Sequence, residues 1–286
     1  MRRYRSADED SARWASVPLR PGDVIVSSRS KHGTTWVQAV LLTMVHGPAL
    51  PDRLDALSPW VDHLVEPIDS VADRLAAQPH RRVVKSHTPL DGLPDDPRIH
   101  RVVVARHPLD AAVSLYHQRR NIDRVRLAEL TGAAPRAASD EPLATWLSRW
   151  VHADPDPVEA LDSLPGVLHH LADAWRRRDD PGVVLVHYAD LAADPAAEVR
   201  RLAAALDLAP AADIDAVVRA TSFAAMRSRA EDLAPDSLGV LADRGAFFRA
   251  GRSGEGAAAL APSDLAAYEA RVAQALDPTL RRWLHR

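Results

Sequence analysis

The sequence contains no cysteine among its 286 residues, which excludes disulfides, thiolate metal ligands and a cysteine nucleophile. It also lacks any apolar run close to the roughly 20 residues that a membrane-spanning helix needs. The charged segment 1–10 has no apolar stretch of the secretory type, so we expect a cytoplasmic protein. A formal net charge of −3 provides no basic excess for binding nucleic acid or a membrane surface. Any anion site must therefore be built locally.

Lysine is scarce in this arginine-rich chain. Of 36 basic residues only two are lysines, Lys31 and Lys85. Abundant arginine, alanine and proline are typical of a high-GC coding bias, which indicates a bacterial source. Two lysines are also what a biased composition leaves by chance. Arginine does not replace lysine where a compact ammonium group is needed, however, and both lysines lie beside other polar signals, which favours a functional role.

Short apolar runs alternate with helical patterns along most of the chain. The runs predict strands at 23–28, 82–86, 101–105 and 183–188, and the periodic segments predict helices at 36–46, 108–118 and 195–206. This alternation predicts an α/β fold with a central parallel sheet flanked by helices. A hydrophobic fraction of 47% supports one domain over 1–286. In such folds ligands bind beyond the carboxyl ends of the strands.

Two segments depart from this alternation. Residues 1–16 predict a loosely packed lead-in. Residues 121–166 are rich in alanine, proline and aspartate, with Trp146 and Trp150 in a short helical patch. We expect this second segment to be a variable excursion over the site rather than a separate domain.

A polar loop follows the first predicted strand and carries the parts of an anion site. A glycine-containing loop between strand and helix directs backbone N–H groups at one point, and the helix N-terminus favours negative charge. Thr34 and Thr35 add hydroxyl donors, and Lys31 adds a positive charge. The loop is P-loop-like, but the lysine precedes Gly33, unlike the nucleotide-triphosphate pattern. For Gly-Thr-Thr alone, a simple helix cap is the alternative.

The next two predicted strands also end in polar residues. Lys85 lies near the end of one strand and His87 follows it, where a histidine can accept a proton while the lysine stabilises negative charge. A lone histidine is more often structural. Arg106 follows the other strand, and Ser114 lies in the helix beyond it, so both can face one phosphate. Arg106 is equally able to pair with Asp110.

Together these segments resemble the sulfotransferase family that depends on 3′-phosphoadenosine 5′-phosphosulfate (PAPS). Lys-His-Gly-Thr-Thr-Trp at 31–36 is similar to its 5′-phosphosulfate loop, and Lys-Ser-His-Thr-Pro-Leu at 85–90 to its Lys-x-His-x-Pro motif. Arg-His-Pro-Leu-Asp-Ala-Ala-Val-Ser at 106–114 is similar to its 3′-phosphate segment. The similarity runs from about Val17 to the C-terminus and is weakest over 121–166.

The resemblance implies an enzyme that moves a sulfuryl group from PAPS to an acceptor hydroxyl or amine. The acceptor would be a small molecule, lipid or carbohydrate bound beneath 121–166, the product adenosine 3′,5′-bisphosphate (PAP), and no metal would be needed. His87 would be the base of an in-line transfer, with Lys31 and Lys85 stabilising charge. The implied donor-binding residues are Lys31, His32, Gly33, Thr34, Thr35, Trp36, Arg106, Ser114, Tyr188, Thr221, Phe223, Phe248, Arg249 and Gly251.

The late loop at 248–256 departs from the family pattern. Ala250 stands where the family has lysine, and Gly254-Glu255-Gly256 lacks the family's tryptophan. We therefore expect weaker 3′-phosphate binding and a less well anchored loop. Two alternatives remain: a kinase using ATP and Mg²⁺, which the missing Gly-Lys-Ser/Thr opposes, and a non-catalytic nucleotide-binding protein, which the presence of Lys31 and His87 opposes. Neither the acceptor nor the oligomeric state is predicted.

Overall fold

Runs rich in valine form a four-stranded, all-parallel sheet in a computed structural model of the chain. The structure describes residues 1–132, 134 and 140–286. The strands are β1 Val24–Ser27, β2 Val83–Ser86, β3 His100–Ala105 and β4 Val183–His187. Their order across the sheet is β2-β1-β3-β4. The predicted central parallel sheet is confirmed.

The carboxyl ends of β2, β1 and β3 lie side by side. Ser27 of β1 pairs in register with Ser86 of β2 and with Val103 of β3. The polar segments that follow these strands therefore emerge at one edge of the sheet, which is where a parallel fold places its ligands.

Helices cover both faces of the sheet. Their bounds are α1 Thr34–His46, α2 Leu54–Leu57, α3 Ile68–Ala77, α4 Pro108–Arg120, α5 Arg124–Thr131, α6 Leu143–His152, α7 Leu164–Arg176, α8 Tyr188–Ala193, α9 Pro195–Ala205, α10 Ile214–Ala220, α11 Phe223–Ser228, α12 Ala230–Leu233, α13 Arg244–Phe247, α14 Glu255–Ala258, α15 Pro262–Ala275 and α16 Pro278–Leu284. The 3₁₀ turns are Ser11–Ser16 and Leu90–Gly92. Every helix and strand predicted from the sequence is present, with bounds shifted by one or two residues.

Alternate residues of the strands pack into different clusters. Val24 and Val26 of β1 pack with α1, α9 and α10, whereas Ile25 faces Val84, Val103 and the N-terminal segment. Burial on both faces of the sheet explains why the strand sequences are continuous apolar runs. The part of the chain that the structure describes contains no helix that is both long and apolar enough to cross a membrane.

The prediction that residues 1–16 form a loosely packed lead-in is wrong. Tyr4 and Trp14 are among the most buried side chains, at 1% and 2% exposure. The Tyr4 hydroxyl donates to Asp91 at 2.6 Å, and the Trp14 indole N–H donates to Asp62 at 2.6 Å. Large aromatic side chains gain much from burial even when their neighbours in sequence are charged, and this overrides the polar character of the segment.

The segment 121–166 is also more than a surface excursion. Helix α6 carries Trp146 and Trp150, as the pattern predicted, but both are buried in a cluster with residues of α4, α7 and α15. The hydrophobic period of α6 matches its packing face, so this part belongs to the core. Residues 133 and 135–139 of the predicted excursion lie outside the described residues.

Candidate active site

The loop between β1 and α1 has a backbone that only specific residues adopt. Gly33 has a φ of 109°, and a Cβ atom there would lie 3.0 Å from the ring of Tyr188. Lys31 also has a positive φ, of 67°. Helix α1 starts at Thr34 without a side-chain cap, so the Thr34 and Thr35 hydroxyls do not act as the simple cap considered above. The main-chain N–H groups of Thr34 and Thr35 and the positive end of the helix dipole are thus available to a ligand, whereas the Trp36 N–H donates to the Gly33 carbonyl oxygen.

A cavity of about 440 Å³ lies at the carboxyl edge of the sheet. Its wall includes Lys31, Lys85, His87 and Arg106, so the loops after β1, β2 and β3 all contribute. The other predicted site residues on this wall are Gly33, Thr34, Thr35, Trp36, Ser114, Tyr188, Phe223, Phe248, Arg249 and Gly251.

Five cationic residues of the described chain line this cavity, namely Lys31, Lys85, Arg106, Arg249 and Arg252. Burial, followed by the like charges of Lys85, Arg106 and Arg249, lowers the pKa of Lys31 to about 7. Burial lowers the pKa of Lys85 to about 8. The Lys31 Nζ atom lies 3.7 Å from the Phe247 ring centroid, and the Lys85 Nζ atom lies 3.7 Å from the centroid of a tryptophan ring. Because these contacts are with aromatic rings rather than carboxylates, the positive charge remains available to an anionic ligand.

The ring of His87 is held in one tautomer. Its Nδ1 atom is hydrogen bonded to the main-chain carbonyl oxygen of Ser28, which can only accept, so Nδ1 carries the proton and Nε2 has the free lone pair. Burial and the charges of Lys85 and Arg29 hold the pKa of His87 well below its usual range. His87 is therefore neutral and suited to accept a proton at Nε2.

Arg106 lines the cavity, where its guanidinium can bind an anion. Its Nη2 atom donates to the Arg252 carbonyl oxygen at 2.8 Å, and its guanidinium carbon lies 4.4 Å from the Tyr188 ring centroid. Its Nε atom is buried and has no hydrogen-bond partner within the described residues. Ser114 lies on the same cavity wall, on α4. A buried donor without a partner fits a site that a phosphate completes.

Asp110 anchors the late loop rather than pairing with Arg106. Its carboxylate accepts hydrogen bonds from the main-chain N–H groups of Gly254, at 2.9 Å, and Gly256, at 3.0 Å. A Cβ atom at Gly256 would lie 2.5 Å from the Leu109 backbone, so this close approach requires glycine. Main-chain hydrogen bonds to Asp110 therefore anchor the late loop although it lacks the family's tryptophan.

The cations of the late loop are held by one carboxylate. Glu255 forms a short ion pair with Arg249 and a second, at 2.6 Å, with Arg252. Gly251 has a φ of 62°, and a Cβ atom there would lie 2.5 Å from the Phe223 ring. The loop thus packs closely on Phe223, one of the predicted donor-binding residues.

Two predicted donor-binding residues lie away from the cavity wall. His32 is 1% exposed, and its Nδ1 atom lies 3.1 Å from the carbonyl oxygens of Arg29 and Ser30. The buried hydroxyl of Thr221 donates to the Val217 carbonyl oxygen at 2.9 Å. Both side chains satisfy the backbone of their own segment, so we leave them out of the proposed donor contacts.

Comparison with known proteins identifies the family. Residues 21–279 match the model of the sulfotransferase domain family. The chain belongs to the sulfotransferase family. It is 36% identical to the glycolipid sulfotransferase of Mycobacterium bovis (strain BCG / Pasteur 1173P2), over 99% of this chain and 93% of that protein. It is 25% identical to the dog protein sulfotransferase 1A1, over 82% of this chain and 77% of that protein.

Solved structures share the fold of this sulfotransferase. Mouse sulfotransferase SULT7A1 complexed with PAP matches with a TM-score of 0.68 and 21% identity, over 96% of this chain and 91% of that one. Retinol dehydratase in complex with androsterone and PAP matches with a TM-score of 0.71 and 20% identity, over 94% and 84% of the two chains.

The structure adds candidate site residues that the sequence analysis missed. The carboxylate of Asp62 is buried and accepts from the His87 main-chain N–H at 2.6 Å. Trp60 stacks on His63 at 4.2 Å, and Lys85 lies over its face. Arg29 is buried behind His87. Arg29, two residues before Lys31, is a charged residue close to the predicted anion loop. Its carboxylate partners, Glu9 and Asp162, are 20 and 133 positions away in the sequence, so no local pattern predicts them.

Proposed function

We propose that this sulfotransferase moves a sulfuryl group from PAPS to an acceptor hydroxyl, with His87 as the base. The observation that carries the proposal is the convergence of Lys31, Lys85, Arg106 and Arg249 on one cavity that also holds the neutral imidazole of His87. Lys31, Lys85 and Arg106 form no ion pair with a carboxylate of the described residues, whereas Arg249 is paired with Glu255. Cations without a carboxylate partner favour an anionic ligand, and a neutral histidine beside them favours proton transfer.

The described residues fit PAPS, which carries a 5′-phosphosulfate and a 3′-phosphate. Lys31 and the N-terminus of α1 would hold the phosphosulfate, and Arg106, Ser114 and Arg249 the 3′-phosphate. Trp36 and Tyr188 lie with ring centroids 5.2 Å apart and Phe223 lies on the same wall, so aromatic groups are available for the adenine.

The chemistry follows from the protonation states of the side chains. When bound, PAPS supplies an electrophilic sulfur with a phosphate leaving group. His87 accepts the proton of the acceptor hydroxyl at Nε2, because Nδ1 is already engaged by Ser28. Lys31 and Lys85 stabilise negative charge as it develops on the sulfuryl oxygens and on the leaving phosphate.

We further propose a glycolipid or carbohydrate hydroxyl as the acceptor. Relatives at 36% identity are glycolipid sulfotransferases, which supports this class. Glu9 and Asp162 line the cavity near His87 and can accept hydrogen bonds from sugar hydroxyls. Apolar residues of the same wall, Ile122 and Leu127, can contact a lipid chain. The cytoplasmic location predicted from the sequence stays a prediction.

Transfer of labelled sulfate tests the proposal. The protein is incubated with ³⁵S-labelled PAPS and octyl β-D-glucoside, a sterol, 2-naphthol or octylamine, and parallel samples receive γ-labelled ATP with Mg²⁺. We expect sulfate transfer with the glucoside as the best acceptor. Phosphate transfer from ATP would favour the kinase. PAP binding without transfer to any acceptor would favour a non-catalytic binding protein.

A further inference from the structure

The buried guanidinium of Arg29 lies at the carboxyl edge of the sheet, directly behind His87. Its side chain is only 3% exposed. One nitrogen, Nη1, donates to the main-chain carbonyl oxygen of His87 and, at 3.2 Å, to Glu9. The other, Nη2, donates to Asp162 at 2.8 Å. The proposed mechanism of sulfuryl transfer assigns no role to Arg29.

The partners of Arg29 come from segments that are far apart in the chain. Glu9 belongs to the N-terminal segment, which pairs with His63 through an antiparallel bridge. Asp162 precedes α7, and its carbonyl oxygen accepts from the Trp150 indole at 2.9 Å. Both carboxylates line the cavity. The Arg29 guanidinium therefore connects two segments that are remote in the sequence, at the cavity wall where we place the acceptor.

Arg29 and His87 are linked in both directions. The residue before Arg29, Ser28, accepts the Nδ1 proton of the His87 ring, and the Arg29 side chain holds the carbonyl oxygen of His87. Asp62 holds the remaining main-chain group, the His87 N–H. His87 is thus fixed through its ring Nδ1 atom and through both its main-chain N–H and its carbonyl oxygen. Proton transfer is sensitive to displacements of about 1 Å, so this fixation matters for rate.

We infer that Arg29 is a positioning residue for sulfuryl transfer. It orients His87 Nε2 toward the acceptor and holds Glu9 and Asp162 in the acceptor wall. A lysine does not substitute, because a single ammonium group lacks the planar fork that reaches a carbonyl oxygen and two carboxylates at once. The inference rests on the proposed function, since positioning has meaning only if His87 is the base.

The first test compares two conservative substitutions of buried arginines. Arg29→Lys removes the fork beside His87. Arg82→Lys is the matched control, because Arg82 is equally buried and forms its ion pair with Asp23 at the opposite end of the sheet. Transfer to octyl β-D-glucoside gives kcat and the two KM values, and calorimetry gives PAP affinity.

We expect Arg29→Lys to lower kcat by about 100-fold and to raise the acceptor KM, because His87 and the acceptor wall both shift. The PAP dissociation constant should change by less than about threefold, since Arg29 contacts no proposed donor ligand. Arg82→Lys should leave kcat unchanged. An unaltered kcat in Arg29→Lys, or equal losses in both variants, would overturn the inference.

A second measurement needs neither acceptor nor turnover. With ¹⁵N-labelled histidine and bound PAP, the wild-type His87 should show one tautomer, protonated at Nδ1. Glu9→Gln is a milder variant that keeps the Arg29–Asp162 pair, so it should fold even if Arg29→Lys does not. Arg29→Lys should give mixed tautomers, because it removes the donor to the His87 carbonyl oxygen and lets the ring shift relative to Ser28. Glu9→Gln keeps that donor, so it should keep the Nδ1–H form and raise only the acceptor KM. A pure Nδ1–H signal in Arg29→Lys, or an unchanged acceptor KM in Glu9→Gln, would refute the positioning role. If the wild-type protein neither binds PAP nor transfers a sulfuryl group, the proposed function itself is refuted.

Discussion

The Nδ1 atom of His87 donates its proton to the main-chain carbonyl oxygen of Ser28, which joins the ends of two neighbouring strands. The two residues are 59 positions apart in the sequence and meet only because β1 and β2 are parallel and in register. This one hydrogen bond sets the tautomer of the proposed base, since it leaves the lone pair on Nε2.

Replacing His87 by alanine should remove the base while leaving the donor site intact. We expect kcat to fall by about 10²- to 10⁴-fold, because general base catalysis typically contributes that much. PAP affinity measured by calorimetry should stay within about threefold. His152→Ala, at an exposed position on α6, is the matched control and should keep full activity. Near-normal turnover in His87→Ala would exclude the assigned role.

Donor binding should take up protons at slightly alkaline pH. The pKa of Lys31 is about 7 and that of Lys85 about 8 in the free protein, and a bound polyanion raises both. Each lysine is fully charged below its free pKa, so PAP affinity should be highest there and should fall as pH rises through about 7 to 8.

Calorimetry at pH 8 in buffers of different ionisation enthalpy measures this uptake. Lys31→Arg is the control, because arginine keeps its charge at every accessible pH and should reduce the uptake without abolishing binding. Proton release on binding, or an affinity that rises with pH in this range, would contradict the arrangement of uncompensated lysines.

Substituting Gly33 tests the shape of the first loop. Gly33→Ala places a Cβ atom 3.0 Å from Tyr188 at a φ of 109°, so we expect lower stability and about tenfold weaker PAP binding. Gly47→Ala, at the other end of α1, is the control, since its φ is 84° but no atom lies within 4 Å of the added Cβ. Thermal unfolding and calorimetry should show both variants destabilised and only Gly33→Ala impaired in binding. Equal PAP affinity in the two variants would argue against a donor site at this loop.

The anchoring of the late loop by Asp110 is testable by proteolysis. Asp110→Ala leaves the N–H groups of Gly254 and Gly256 without their acceptor, so the loop should open more often. Trypsin should then cut faster after Arg249 and Arg252, and PAP should bind more weakly.

The control for this experiment is Asp213→Ala, which removes the acceptor of a single N–H group at the start of α10. It should leave cleavage within the late loop unchanged. If Asp110→Ala is cleaved no faster than the wild type, Asp110 does not hold the loop closed.

The strands and the main motifs were predictable because local patterns determine them. Continuous valine-rich runs mark strands buried on both faces, and Lys31, Lys85 and Arg106 stand out because each lies near or just beyond the end of such a strand. Parallel pairing then brings the three strand ends together whatever the connecting segments contain.

The remaining features depend on distant partners that no local pattern specifies. Tyr4 packs against residues nearly ninety positions away, as its hydrogen bond to Asp91 shows, so the charged N-terminal segment gave the wrong expectation. Asp110 and the glycines it anchors are also remote, with a separation of 144 positions to Gly254. Thr221 matches the family motif in sequence, yet its hydroxyl is engaged by its own helix.

Binding of PAP compared with adenosine 5′-phosphate, measured by calorimetry without added metal, tests the central claim most directly. If Lys31 and Arg106 serve opposite ends of one bisphosphorylated nucleotide, PAP should bind about 10- to 100-fold more tightly, because only PAP carries the second phosphate for Arg106. Arg106→Ala should abolish that preference, while Lys31→Ala should weaken both ligands. Equal affinity for the two nucleotides in the wild type, or displacement of PAP by ATP with Mg²⁺, would contradict the account.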